Sequence, residues 1–192
     1  MTTDYDYRSQ VALNAKYLCE RAHTACFTGH RPEKIPFYDN EIKMRMLKSM
    51  LVEKIYSAVD EGYRTFVTGM ARGVDLWGGQ VVHIIKRDRP ELGIRLIGIS
   101  PYRHEEDHRS GVDIYDYGVV REACDEMIYL ADDFFPGCYH ERNRLMIDIS
   151  QKVIGVICNY ASGTGNTIRE AKRQGLEIDV IDLNTCGFFT EM

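Results

Sequence analysis

The chain is short of most features that would mark a specialised fold. Its 192 residues include one tryptophan and five prolines, and no apolar run approaches the length needed to cross a bilayer. The polar, acidic opening, residues 1–10, lacks the apolar segment of a secretory signal, so a cytoplasmic location is expected. Basic charge is not in excess. The 24 Lys and Arg face 29 Asp and Glu, for a net charge of -5, which disfavours non-specific attachment to nucleic acid or membranes, since phosphate surfaces attract basic faces. Six cysteines, at positions 19, 26, 124, 138, 158 and 186, form no C-x-x-C pair. Reduced core thiols are expected, with neither a disulfide framework nor a zinc site. The Walker G-x-x-x-x-G-K-[ST], a first-strand G-x-G-x-x-G and a G-x-S-x-G elbow are all missing, which leaves P-loop, ordinary dinucleotide and hydrolase readings without support. No cofactor or metal is expected either. His104 and His108 are four residues apart, but their carboxylate neighbours make no metal cage.

What is present is a rhythm. β-rich runs at 23–28, 63–68, 94–100, 126–130, 152–158 and 178–183 alternate with helical stretches near 40–60, 74–87, 113–123, 141–150 and 167–174. In the first of these helices Met44, Leu47, Leu51, Ile55 and Val59 recur at helical spacing, giving one apolar face. The run at 152–158 (KVIGVIC) is nearly all apolar, as a strand covered on both faces requires. The pattern predicts an α/β fold, a Rossmann-like three-layer sandwich with a mainly parallel sheet of about six strands. At 22.1 kDa the chain suits one core. Residues 1–22 read as an N-terminal extension with a helix around 11–21, and 23–192 as a single domain.

Ligands of open parallel sheets bind beyond the carboxyl ends of the strands, and the unusual residues gather there. The trailing loops hold Thr28-Gly29-His30-Arg31, Gly69-Met70-Ala71-Arg72-Gly73 and Ser162-Gly163-Thr164-Gly165-Asn166-Thr167. Glycines let backbone N–H groups turn toward a phosphate, and a helix N-terminus adds positive potential. Asp75 stands where an N-cap or a ligand-hydroxyl acceptor would stand. Arg142, Asn143 and Arg144 open the preceding helix, and arginine suits forked contacts with phosphate oxygens. Trp77 and Tyr102 have the shape to stack a base, although packing is the commoner use of such residues. A loop histidine such as His30 is more often structural than catalytic.

Taken together, Phe27–Thr28–Gly29–His30–Arg31–Pro32, Thr68-Gly69-Met70-Ala71-Arg72-Gly73-Val74-Asp75 and His140-Glu141-Arg142-Asn143-Arg144 resemble motifs of the SLOG superfamily, which unites DprA with the LOG phosphoribohydrolases. The YpsA-type branch is the nearest in pattern. Residues 162–170 align without gaps to the LOG pattern P-G-G-x-G-T-x-x-E, matching at Gly163, Thr167 and Glu170. The resemblance implies a Rossmann-like fold and a phosphorylated, nucleotide-like ligand, bound as a signal. It also implies two other activities. One is a nucleoside 5′-monophosphate N-glycosidase with Arg142 and Glu170 as its catalytic pair. The other is DprA-like binding of single-stranded nucleic acid through Arg72, Arg142, Arg144, Arg169, Lys172 and Arg173. Related proteins pair through helices, so a homo-oligomer is compatible with the resemblance.

Overall fold

The computed structural model describes residues 4–190. Six strands, β1 (Thr24–Gly29), β2 (Thr65–Thr68), β3 (Arg95–Ser100), β4 (Glu126–Tyr129), β5 (Lys152–Ile157) and β6 (Glu177–Asp182), form one sheet. Every neighbouring pair is parallel and the order is β4-β3-β2-β1-β5-β6. The chain therefore builds outward from β1 to one edge and returns to start again at β5. The crevice between the carboxyl ends of β1 and β5 is the switch point where such sheets hold ligands.

Helices cover both faces. On one face α2 (Glu41–Asp60), α3 (Val74–Asp88) and α4 (Val112–Ala123) pack Leu47, Leu51, Ile55, Leu76, Val82 and Val120 against Phe27, Phe66 and Leu96. Asn40 caps α2, its side chain accepting the Lys43 N–H at 2.9 Å. On the other face α5 (Cys138–Asp148) and α6 (Gly163–Arg173) lay Leu145, Met146 and Ala171 over Val67, Ile97 and Val153. The N-terminal helix differs from its expected place. α1 spans Asp4–Leu18 and adds Ala15 to this second core. Between Tyr7 and Gln10 the side chains are exposed or half-buried, so no apolar periodicity marks the start of α1. Among the described residues, no helix is long and apolar enough to cross a membrane.

Two features of β5 were hidden in its apolar run. Lys152 is only 1% exposed, yet its ammonium donates to Glu61 and, at 2.9 Å, lies beside Glu177, 4.9 Å from the Tyr63 ring centre. Burial alone would push its pKa down, but the two carboxylates outweigh this and leave it raised. That network closes the edge of the sheet away from the switch point. Three residues along the strand Gly155 sits opposite Thr28 in register, where a Cβ would lie 2.1 Å from the Thr28 carbonyl oxygen. Backbone cannot yield there cheaply. Gly155→Ala should therefore cost about 1–3 kcal/mol or more. A denaturant midpoint equal to the parent's would show that β1 and β5 do not approach so closely.

Candidate functional site

The loop after β2 is the most constrained part of the switch-point rim. Met70, buried, has φ 58, a left-handed conformation that a non-glycine side chain holds only when its surroundings force it. Its surroundings do. The Thr68 hydroxyl accepts the Met70 N–H at 3.2 Å, and Arg109 Nη2 donates to the Met70 carbonyl at 2.6 Å. Asp75 Oδ2 accepts the Ala71 N–H at 3.3 Å. Asp75 is thus not the cap of α3; that position is Gly73, at φ 90. Instead the carboxylate folds back and braces its own loop. A Cβ on Gly73 would lie 2.7 Å from the His30 carbonyl oxygen, so the β1 and β2 loops touch.

Arg142 reaches this loop from α5. It is 7% exposed, Nη1 donates to the Gly69 carbonyl and Nε donates to Asn143 Oδ1 at 2.8 Å. Asn143 Nδ2 then donates to Thr167 Oγ1 at 3.0 Å, and the Thr167 hydroxyl donates to the Gly163 carbonyl at 3.0 Å. One relay therefore joins the β2 loop, α5 and the N-terminus of α6. Among the described residues Arg142 forms no ion pair and donates only through Nε and Nη1, while the buried guanidinium nitrogen without a partner at this loop is Arg109 Nη1. Burial pushes its pKa down, opposed by the nearby charges of Asp75 and Glu105. Asp75 in turn is pushed up to about 6 by burial, with Arg142, the Ala71 N–H and Arg109 pulling the other way.

The glycine- and hydroxyl-rich segment after β5 is not a free loop. Ser162 caps α6, accepting the Gly165 N–H at 3.1 Å, and Gly163, Thr164 and Gly165 form the first turn. Thr167, expected to begin the helix, lies inside it. The early start leaves the N–H groups of Gly163 and Thr164 without intrahelical acceptors, as in the first turn of any α-helix. α5 likewise starts three residues before the expected position, at Cys138 after the left-handed Gly137, which places Arg142 within the helix.

His30 links the remaining side. It is 6% exposed, and its Nε2 accepts the Asn159 N–H at 3.3 Å, tying the β1 loop to the β5 loop. Accepting requires a neutral imidazole, and burial pushes the pKa below its ordinary value. Protonation is disfavoured in the folded state, so His30's contribution to stability is present above the unfolded value of about 6.5 and is lost as the pH falls through the folded one. Asp75 has the opposite sign. Its contribution is present below the unfolded value of about 3.9 and is lost as the pH rises through about 6. The denaturant midpoint of His30→Asn should therefore fall less than the parent's between about pH 7 and pH 5, and that of Asp75→Asn should fall more. Equal pH slopes in all three proteins would contradict both assignments.

Other expected residues lie elsewhere or serve differently. Thr28 is buried in β1, and Gly29 packs on Val74, where a Cβ would meet Cγ2 at 2.3 Å. Arg31 is exposed at the rim. Arg72 turns outward, with Nε 2.6 Å from Asp113 Oδ2 but poorly aligned for a hydrogen bond, and Nη2 3.7 Å from Glu33. Trp77 lies beneath Lys48 at 4.8 Å and Tyr102 packs edge-on against Phe134 at 5.8 Å, so both are packing groups. Glu170 pairs with Arg173 and accepts from Gln174 at 3.2 Å, while Gln174 also bonds Asp148 near the far end of α5. Glu170 forms no hydrogen bond or ion pair with Arg142. The residue that motif reading missed is Arg109, whose side chain is 6% exposed; it pairs with Glu105 at 2.7 Å and stacks 4.6 Å over Tyr117. Its only sequence signal was membership of a charged loop.

A profile of YpsA, described as the YspA SLOG family, matches residues 25–185. The chain is 29% identical over 146 residues, 67% of its length and 82% of the relative's, to the "Uncharacterized SPbeta prophage-derived protein YoqJ" of Bacillus subtilis (strain 168). It is 22% identical over 155 residues, 79% of its length and 83% of the relative's, to a UPF0398 protein of Bacillus thuringiensis (strain Al Hakam). Among solved structures it is similar to DNA processing protein A (DprA) from Streptococcus pneumoniae, with a TM-score of 0.55 and 14% identity over 88% of this chain and 53% of that one. That last likeness is one of fold. The chain belongs to the YpsA family of SLOG proteins.

Proposed function

We propose that the switch-point rim binds the phosphate of a nucleotide or nucleotide-derived ligand, and that the protein acts as a cytoplasmic sensor of that ligand. One observation carries the reading: Arg142 is buried, forms no ion pair among the described residues, and donates to the protein only through Nε and Nη1, which leaves Nη2 for a ligand. Burial of this guanidinium is costly, the nearby carboxylates of Asp75 and Glu105 offset the cost only in part, and an incoming anion would relieve the rest. The free N–H groups at the start of α6 add donors of the same sign. Membership of the YpsA family supports a nucleotide-related role. Glu170 is engaged by Arg173 and Gln174, so the glycosidase alternative has no specific observation in its favour.

Native mass spectrometry of freshly purified protein, followed by a thermal-shift panel of nucleotides, tests this. At a ligand concentration a hundred times Kd the stabilisation is about 2.7 kcal/mol, or roughly 5–10 °C in a chain of this size. A protein with no co-purified phosphorylated compound and no nucleotide-induced shift would sink the proposal.

A further inference from the structure

A groove of about 780 Å³ runs between α5 and α6, beside the rim. Its walls carry Arg144, Arg169, Lys172 and Arg173 against one carboxylate, Glu170. On a chain of net charge -5 this local excess is opposite in sign to the whole. Arg173 is neutralised by Glu170, and Arg169 donates to the Tyr160 carbonyl at 2.6 Å. Arg144 and Lys172 are exposed and have no hydrogen-bond or ion-pair partner among the described residues. Arg169, Lys172 and Arg173 are spaced i, i+3, i+4, so they share one face of α6 within roughly 6 Å of axial rise. Like charges gathered at that spacing repel unless an anion lies among them. The groove also continues the rim: Asn143 and Thr167, two members of the Arg142 relay, line its wall.

We infer that this groove seats further phosphates of the ligand whose first phosphate is held at the rim. The inference rests on the rim reading above. The chemistry recognised is a row of successive phosphates, supplied by the polyphosphate chain of a single nucleotide or by the backbone of a short single strand. Arg144 and Lys172 are the contacting cations, and Arg169 lends its charge while anchoring the start of α6.

The test is isothermal titration at low salt with orthophosphate, tripolyphosphate, ATP and a short oligothymidylate. It compares the parent, Arg142→Gln, and a double variant carrying Arg144→Gln and Lys172→Gln. Both groove positions are exposed, so the double variant should fold as the parent does. The parent should bind tripolyphosphate at least about tenfold more tightly than orthophosphate, and the double variant should lose that gap while keeping its orthophosphate affinity. A gap that survives in the double variant overturns the groove, as does a parent with no gap. If orthophosphate binding is unaffected by Arg142→Gln while the gap still depends on the groove cations, the rim reading fails and the groove stands. A gain for ATP identifies a nucleotide polyphosphate as the source. A further gain for oligothymidylate and not for ATP, with log K falling by about 0.7 per phosphate contact against log salt, identifies a strand.

Discussion

Arg142→Gln should weaken binding of a phosphorylated ligand about ten- to a hundredfold, while the unliganded protein stays as stable as the parent or gains slightly. The binding loss follows from removing a charge-assisted donor, an interaction of about 1.5–3 kcal/mol. The stability side follows from what Arg142 does without a ligand. Arg142 is 7% exposed and lacks an ion pair among the described residues, so its burial, only partly offset by the charges of Asp75 and Glu105, is unfavourable. Against this stands one donated bond to the Gly69 carbonyl and one to Asn143, each a net contribution of about 1 kcal/mol. Arg142→Lys should not restore binding, because a point-like ammonium cannot serve Gly69, Asn143 and a ligand from one rigid fork. Titration of the variants and their denaturation curves check both halves. A variant that loses several kcal/mol of stability would make Arg142 a structural group instead.

Gly69→Ala should weaken binding to a similar degree, by about tenfold or more, by displacing the ligand-facing guanidinium while leaving it in the chain. A Cβ at Gly69 would lie 2.5 Å from Arg142 Nη1, and 2.8 Å from both Arg142 Cζ and Asp75 Oδ2. Those atoms end movable side chains, so the fold survives by displacing the guanidinium. The contrast with Gly155→Ala is sharp, since there the added carbon meets backbone at 2.1 Å and stability is lost. A Gly69→Ala protein that binds as the parent does would mean the guanidinium position is immaterial.

The alternation of apolar runs and helical faces made all six strands legible, and the ends of α2, α3 and α4 fell within about two residues of expectation. The starts of α5 and α6 did not. Glycine-rich sequence has low helix propensity, and 162–167 therefore reads as a loop. The Ser162 cap and the close seat of Gly165 on Tyr160, where a Cβ would meet the carbonyl oxygen at 2.1 Å, override that preference. The trailing loops were recognisable by composition, but the partners that brace them were not. Arg142 to Gly69 spans 73 residues and Arg109 to Met70 spans 39, and no local pattern encodes such pairs. Lys152 was masked by the apolar residues that follow it, although a lysine heading a doubly covered strand is itself a sign of buried partners.

The most direct test is a crystal structure of the protein soaked with a nucleoside 5′-monophosphate. The phosphate should lie within hydrogen-bonding distance of Arg142 Nη2 and beside the first turn of α6. Density for the nucleotide at any place that leaves Arg142 untouched would contradict the account.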